Sequence, residues 1–200
     1  MNSVSRSSYK VRMITRVGML SSLAFILMYF QVPLTFIAPT FLKLDVSDLP
    51  VLVGSFTMGP MAAVLISLIK NILHFAIHGS STGGIGELSN FIVGSVFAVS
   101  AGMIYKRNKT FKTAVIGLFV GTILMTVCAL ISNYYFIFPL YSKLMPMEAI
   151  INAGAAITSR ITDLWSMMLY SVLPFNLIKG FIVSLVTLLT YKKVSYIFKD

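Results

Sequence analysis

The sequence predicts an all-α polytopic membrane protein with six transmembrane helices and both termini in the cytoplasm. The composition is the first reason: 57% of the 200 residues are hydrophobic and 11% are charged, and the mean hydropathy is +0.88. These values lie well outside the range of soluble globular domains. The second reason is that long apolar runs, each able to cross a hydrocarbon core of roughly 30 Å as a helix, alternate with basic clusters.

The placement of charge predicts the orientation. Basic clusters flank apolar runs near both ends and in the middle of the chain, whereas the other connecting segments carry mixed charges. Cytoplasmic loops carry an excess of Lys and Arg, so all three clusters are expected in the cytoplasm, including a basic N-terminal segment at residues 1–13. The net charge of +10 does not indicate nucleic-acid binding, because no basic stripe interleaves with aromatic residues. The clusters are Arg6, Lys10, Arg12 and Arg16; Lys106, Arg107, Lys109 and Lys112; and Lys192, Lys193 and Lys199.

The number of crossings follows from keeping the three clusters on one side. The run from Leu49 to Ile77 has 29 residues, and one helix of that length would extend about 43 Å. Gly59-Pro60 lies inside the run, and Pro favours the first turn of a helix, so the run is divided into a short helix and a long one. The short helix is expected either to continue into the loop before it or to lie at a tilt. Residues 139–163 are expected to form an outer loop, with a short amphipathic helix within Met145–Thr158. The predicted membrane helices are Ile14–Phe30, Asp48–Met58, Pro60–Ile77, Leu88–Tyr105, Thr113–Phe138 and Leu164–Tyr191.

Several classes of protein are excluded by what the sequence lacks. No A-x-A cleavage site follows the first apolar run, which indicates a retained helix rather than a signal peptide. The single Cys128 lies in the fifth predicted helix and is assigned to packing. A G-x-x-x-x-G-K-[ST] phosphate loop is missing, so the chain is not expected to hydrolyse ATP alone. Paired carboxylates within a span, H-E-x-x-H and Ser/His/Asp clusters are also missing, so we expect no enzyme, no catalytic residues and no metal site.

Polar residues inside the predicted helices are the candidates for function, because ionisable groups in a membrane face a cavity or a helix interface. Asn176 and Lys179 are three residues apart and share one helical face, as do Glu87 and Asn90. The pair Asn176 and Lys179 indicates either a ligand site or bonds between helices. Lys70 is assigned to helix packing or a partner contact. The Gly-rich stretch 79–87 is either a flexible outer turn or a place where backbone approaches a ligand.

Five motifs occur in order along nearly the whole chain: Phe41–Pro50, Met58–Pro60, Lys70-Asn71, Gly79–Phe91 and Pro174–Gly180. Their order, spacing and helical frame resemble the riboflavin-specific substrate-capture component of energy-coupling factor (ECF) vitamin transporters. The resemblance implies that residues 1–200 form a single substrate-binding domain in the cell membrane. It further implies riboflavin as the transported ligand, no cofactor, and docking on a transmembrane coupling subunit with two ATPases. Another vitamin in the same scaffold is the alternative, and acceptance of flavin mononucleotide stays open.

The polar candidates match the groups of a flavin. Asn133 and Asn176 can pair with the pyrimidine edge, and Lys179 can donate to a ring carbonyl or nitrogen. Glu87 and Asn90 can bind ribityl hydroxyls. The apolar first loop, with Phe36 and Leu42, is expected either to cover the flavin ring or to provide plain outer packing.

The first helix carries the candidate docking face. Gly18 and Ser22 are four residues apart, with Ser21 and Ala24 beside them. Small side chains let helix backbones approach closely in lipid. The resembled family uses an alanine-x-x-x-alanine motif on this helix to contact its coupling subunit, and Gly18 and Ser22 stand in place of the alanines. Internal packing is the alternative for this face.

Overall fold

The computed structural model describes residues 3–80 and 82–197, with side chains described for 10–80 and 82–190. Over those residues the chain is almost entirely helical. Three π-helical segments interrupt the helices: His74–His78 continues α3, Asn133–Ile137 joins α5 to α6, and Met168–Val172 joins α8 to α9. Strands β1 (Val32–Pro33) and β2 (Lys43–Leu44) pair antiparallel in the first loop. The helices are α1 (Ser3–Tyr29), α2 (Asp48–Met58), α3 (Pro60–Leu73), α4 (Ile85–Asn108), α5 (Phe111–Ser132), α6 (Phe138–Tyr141), α7 (Met147–Ala155), α8 (Leu164–Met167) and α9 (Leu173–Ile197).

Part of the predicted charge pattern lies outside the described residues. This applies to the side chains of Arg6, Lys192, Lys193, Lys199 and Asp200, and to Ser81 in the Gly-rich stretch.

The prediction of a helical membrane protein is confirmed, whereas the six crossings, one of them by a short second helix, stay a prediction. Within the described residues, five helical stretches are long and apolar enough to cross a membrane. The predicted second helix, α2, has only 11 residues, or about 16 Å of helix, and cannot cross a hydrocarbon core alone. The five stretches are Lys10–Tyr29, Pro60–His78, Ile85–Asn108, Phe111–Tyr141 and Leu164–Thr190.

The predicted break at Gly59-Pro60 is confirmed. Gly59 has φ 100° and ψ 171°, a backbone conformation that side chains other than glycine rarely adopt. Pro60 then occupies the first turn of α3, where its missing N–H costs nothing. The fourth membrane helix starts at Ile85, three residues before the predicted Leu88, because the turn ends at Gly84 in the left-handed region.

Short α2 is aligned with the second half of α4. Asp48, at the start of α2, lies against Gly94, where an added Cβ would be 2.7 Å from Asp48 Oδ1. Ser55 donates a hydrogen bond to the carbonyl of Ala98 at 2.6 Å, and the rings of Phe56 and Tyr105 are 4.5 Å apart. Therefore α2 starts near the middle of α4 and runs in the same direction to its C-terminal end. The loop before α2 descends into the bundle to reach that starting point.

Helices α4 and α5 are in close contact through glycines. A Cβ at Gly117 would lie 2.7 Å from the carbonyl oxygen of Ala101, and a Cβ at Gly121 would lie 2.9 Å from the Phe97 ring. On the other side of α5, a Cβ at Gly180 of α9 would lie 2.5 Å from Thr122. In lipid, where helices gain little by hiding apolar surface, such close approach supplies much of the attraction between them.

The segment 139–163 contains the end of α6 and the short helix α7. Ile150 and Gly154 on α7 are buried, while Glu148 and Asn152 are exposed. At the end of the segment, Asp163 caps α8 by accepting a hydrogen bond from the Ser166 backbone N–H at 2.7 Å. This bond lowers the pKa of the Asp163 carboxyl below its ordinary value.

Candidate ligand-binding site

A cavity of about 330 Å³ opens at the end of the bundle where α1 ends and α4 begins. Its volume is near the lower limit usual for small-molecule sites. The walls come from the end of α1, the first loop, the π-helical turn after α3, the start of α4, the junction of α5 with α6, and α9. Six of the predicted binding residues line it together: Leu42, Glu87, Asn90, Asn133, Asn176 and Lys179.

The two asparagines line the cavity from positions in a π-helical segment or one turn after one. Asn133 begins the π-helical segment after α5, and Asn176 lies one turn beyond the segment before α9. Each amide nitrogen donates to the carbonyl four residues earlier, Asn133 to Ala129 and Asn176 to Val172, both at 2.8 Å. This bond fixes the amide and leaves a second N–H and the amide oxygen for a ligand. Wide π turns occur frequently at functional sites.

Lys179 contributes a buried cation to the same cavity. Its Nζ lies 3.4 Å from Asp45 Oδ2, 3.3 Å from Asp48 Oδ2 and 3.3 Å from Asn90 Oδ1. Lys179 is 7% exposed and Asp45 4%. The pairing with carboxylates allows a charged side chain to remain in a buried position.

A second lysine stands behind the cavity. Lys70 Nζ is 2.5 Å from Asp48 Oδ1 and donates to Ser47 Oγ at 2.7 Å. Lys70 is fully buried and Asp48 is 1% exposed. The two aspartates and two lysines therefore form a compact cluster of zero formal charge, which we call the four-charge cluster (Asp45, Asp48, Lys70 and Lys179).

Glu87 occupies a different wall and is held by hydrogen bonds. His74 Nδ1 is 3.0 Å from Glu87 Oε1, and Ser80 donates to Glu87 Oε2 at 2.8 Å. Gln31 Nε2 lies 3.3 Å from His74 Nε2. Since an ionised carboxylate only accepts hydrogen bonds, a neutral His74 that satisfies both contacts carries its proton on Nδ1 and accepts from Gln31 at Nε2.

The Gly-rich stretch is organised by Ser80. Its Oγ accepts from the Gly84 backbone N–H at 3.0 Å and from that of Thr82 at 3.3 Å. Gly79 and Gly86 both line the cavity. The backbone of the stretch therefore forms part of the cavity wall, which is the geometry that the ligand-approach alternative requires.

Phe36 is separated from the other predicted site residues. It is 73% exposed and, in the described part of the chain, does not line the cavity. Phe41 lies in the wall instead, with its ring 5.6 Å from that of Tyr141 and 6.0 Å from that of Phe138. Because the tip of the loop turns outward and its end turns inward, the structure does not bring Phe36 to the cavity as expected, whereas Phe41 and Leu42 line it.

Sequence reasoning did not assign Asp45, Gln31 or His78 to the cavity, although all three line it. For Asp45 a signal existed, since two lysines within membrane helices need carboxylate partners. Gln31 and His78 carried no such signal. The described residues contain no group of three or more His, Cys, Asp or Glu side chains that could hold a metal ion.

The predicted docking residues on α1 fall on different faces. Gly18 and Ser22 are exposed, and no described heavy atom lies within 4 Å of the position that a Cβ on Gly18 would occupy. Ser21 is fully buried, since it is rotated by about 100° per residue from its neighbours along the helix. Ser21 therefore faces the bundle interior and has to be removed from the candidate docking face.

A polar-walled cavity at one end of a bundle of apolar helices defines a ligand-binding membrane protein. Residues 12–191 match the family model described as "ECF transporter, substrate-specific component". A solved structure described as "Structure and mechanism of the S component of a bacterial ECF transporter" superposes with a TM-score of 0.74 at 31% sequence identity, covering 96% of this chain and 99% of that one.

Two curated relatives extend over nearly the same length. The chain is 35% identical over 188 residues to "Riboflavin transporter RibU" of Staphylococcus aureus (strain TCH60), covering 94% of this chain and 92% of the relative. It is 33% identical over 186 residues to "Riboflavin transporter FmnP" of Bacillus subtilis (strain 168), covering 92% and 93%. The chain therefore belongs to the family of substrate-specific components of ECF transporters, and it is a multi-pass membrane protein.

Proposed function

We propose that this chain captures riboflavin from outside the cell in the 330 Å³ cavity and delivers it by docking on an ECF coupling subunit powered by two ATPases. The observation that carries the proposal is the polar set of the cavity, two fixed amides, a buried ammonium and a carboxylate, in a chain whose relatives bear the name riboflavin transporter. Flavin mononucleotide differs by a phosphate, and its acceptance is part of the same test.

A flavin fits the chemistry of these walls. Its pyrimidine edge alternates carbonyl acceptors with an N–H donor, and the free groups of Asn133 and Asn176 offer both complements. The Lys179 ammonium can donate to a ring carbonyl or nitrogen. Glu87 is the acceptor for ribityl hydroxyls, and Phe41 and Leu42 supply apolar surface for the ring.

We infer six crossings with both termini in the cytoplasm. The descending first loop and α2 together replace a full second helix, since α2 ends level with Tyr105 at the far end of α4. The start of α1, the end of α4 and the start of α5 then lie at the end of the bundle opposite the cavity. The basic residues Arg12, Lys106 and Lys112 belong to that end, which fits the excess of positive charge in cytoplasmic loops.

The test is a titration of the purified wild-type protein with riboflavin, followed by quenching of flavin fluorescence. We expect saturable quenching and a yellow protein after detergent purification. Parallel titrations use flavin mononucleotide, and competition by a colourless vitamin tests the alternative substrate.

Asn133→Ala should weaken riboflavin binding about tenfold, since a desolvated hydrogen bond of the ligand is lost. The matched control is Asn108→Ala, an exposed asparagine at the other end of α4, which should bind normally. Absence of quenching by the wild-type protein would contradict the proposal.

A further inference from the structure

The Asp48–Lys70 ion pair lies outside the cavity, but Asp48 also contacts Lys179, which lines the cavity. Lys70 and Asp48 do not line the cavity, whereas Asp45 and Lys179 do. Asp48 links the two groups, because Oδ1 is bonded to Lys70 and Oδ2 is 3.3 Å from Lys179.

The contacts of Lys179 are longer than those of Lys70. Charged N–H···O bonds are usually about 2.7–2.9 Å long, which is close to the Lys70 distances of 2.5 and 2.7 Å. The three contacts of Lys179 measure 3.3 to 3.4 Å. Lys179 therefore lies between three acceptors without closing on any one of them. Because an ammonium has three N–H donors, a ligand acceptor in the cavity can bind it by replacing one of these long contacts.

We propose that the Asp48–Lys70 pair is a positioning device for ligand binding: Lys70 holds the Asp48 carboxylate in place, and Asp48 in turn holds Lys179 within reach of the cavity. This inference rests on the proposed function. Ser47 fixes the Lys70 ammonium from the other side at 2.7 Å. Asp48 and Lys70 act through Lys179 and do not contact the ligand.

Helix packing alone does not account for an ion pair at this place. Burying two charges carries a large desolvation penalty, and apolar residues of similar volume often pack as stably. The fold also makes room for the carboxylate, since a Cβ on Gly94 would be 2.7 Å from Asp48 Oδ1. A role in placing the neighbouring Lys179 gives a reason for retaining charge here.

Removal of one member should disturb Lys179 in a defined direction. In Lys70→Met, the freed Asp48 carboxylate draws Lys179 away from the cavity, and the cluster has one cation for two carboxylates. We expect riboflavin affinity to fall about tenfold or more, together with a shift in the visible absorption of bound flavin, because a cation near a ring carbonyl polarises the ring. In Asp48→Asn/Lys70→Met, Asp45 and Lys179 form a balanced pair, and affinity should return to within about threefold of wild type, as expected for coupled sites.

The matched control is Ile66→Ala. Ile66 is fully buried on α3, one turn before Lys70, so its truncation destabilises the bundle without changing charge. Ile66→Ala should lower the melting temperature but preserve both the affinity and the spectrum of bound flavin. If Lys70→Met does not fold, Asp48→Asn is used in its place, because asparagine has nearly the same shape as aspartate. The double variant for comparison stays the same.

Four measurements decide the outcome: the dissociation constant, the spectrum of bound flavin, the melting temperature and the coupling in the double-mutant cycle. Weakened binding with a changed spectrum, restored in the double variant, supports the inference. If the wild-type protein binds riboflavin, and Lys70→Met and Asp48→Asn bind it with the same affinity and spectrum, the inference is overturned and the proposed function stands. A wild-type protein that binds no riboflavin overturns both.

Discussion

The two ends of the helix bundle are held together in different ways. At the end away from the cavity, α4 and α5 meet through Gly117 and Gly121, which lie close to backbone and ring atoms of the facing helix. At the cavity end, buried polar groups dominate, including the four-charge cluster and the Glu87–His74 pair. The end away from the cavity has the small-residue packing typical of membrane helices, whereas the cavity end is held by ion pairs and hydrogen bonds between buried side chains.

The distribution of π-helix follows the same division. The segments His74–His78 and Asn133–Ile137 lie at the cavity ends of their membrane helices, and Met168–Val172 lies near the cavity end of the last one. A π turn widens the helix and changes which side chains point inward. In the described residues, the π-helical segments therefore lie toward the cavity, whereas the glycine contacts between α4 and α5 are made by regular helix.

The largest effect on the isolated protein should come from Lys179. Lys179→Met removes the cation that reaches the cavity and leaves Asp45 without this partner. A hydrogen bond to a charged group contributes about 1.5–3 kcal/mol, which corresponds to roughly 10- to 100-fold weaker riboflavin binding. Fluorescence quenching measures the affinity, and melting without ligand measures the accompanying loss of stability. Unchanged affinity in this variant would show that the cation does not serve the ligand.

A change at the end away from the cavity should have the opposite effect, lowering stability while leaving riboflavin affinity unchanged. Gly117→Val places a branched side chain where a single added Cβ would already be 2.7 Å from the Ala101 carbonyl oxygen. Overpacking of this kind costs about 1–3 kcal/mol, so the melting temperature should fall. The affinity of the folded fraction for riboflavin should stay at the wild-type value, because the cavity is formed by the other end of the helices. A large loss of affinity with normal melting would contradict the division between the two ends.

Much of the fold was predictable because membrane helices carry strong local signals. The break at Gly59-Pro60 was read from two residues, and the structure confirms it through the positive φ of Gly59. For α2 the sequence predicts a short helix that continues into the preceding loop or tilts, but apolarity and parity do not show how this loop enters the bundle. The loop is held by buried contacts between distant parts of the chain, of Asp45 with Lys179 and of Ser47 with Lys70, which local sequence patterns do not reveal.

The site was predictable only where residue type and helical spacing were sufficient. Asn176 with Lys179, and Glu87 with Asn90, could be placed on shared faces from their spacing. Phe36 could not be separated from Phe41, because a loop has no periodicity from which to read direction. The faces of α1 were also ambiguous, since small residues occur on both the buried side, at Ser21, and the exposed side, at Gly18.

The smallest effect on the isolated protein should come from the exposed face of α1, and this variant separates capture from transport. Gly18 is exposed, and no described heavy atom lies within 4 Å of the position of a Cβ there, so melting and riboflavin affinity of Gly18→Leu should match wild type. A coupling-subunit helix packed on Gly18 and Ser22 would be held further away, with loss of the close contact that drives association in lipid. We therefore expect lower riboflavin uptake in cells and weaker co-purification with the coupling subunit. Ser21→Leu is the matched comparison: Ser21 is fully buried, so its enlargement should lower the melting temperature of the isolated protein. Normal uptake by Gly18→Leu would remove this face of α1 from the docking surface, whereas lost riboflavin binding would show that Gly18 packs inside the protein.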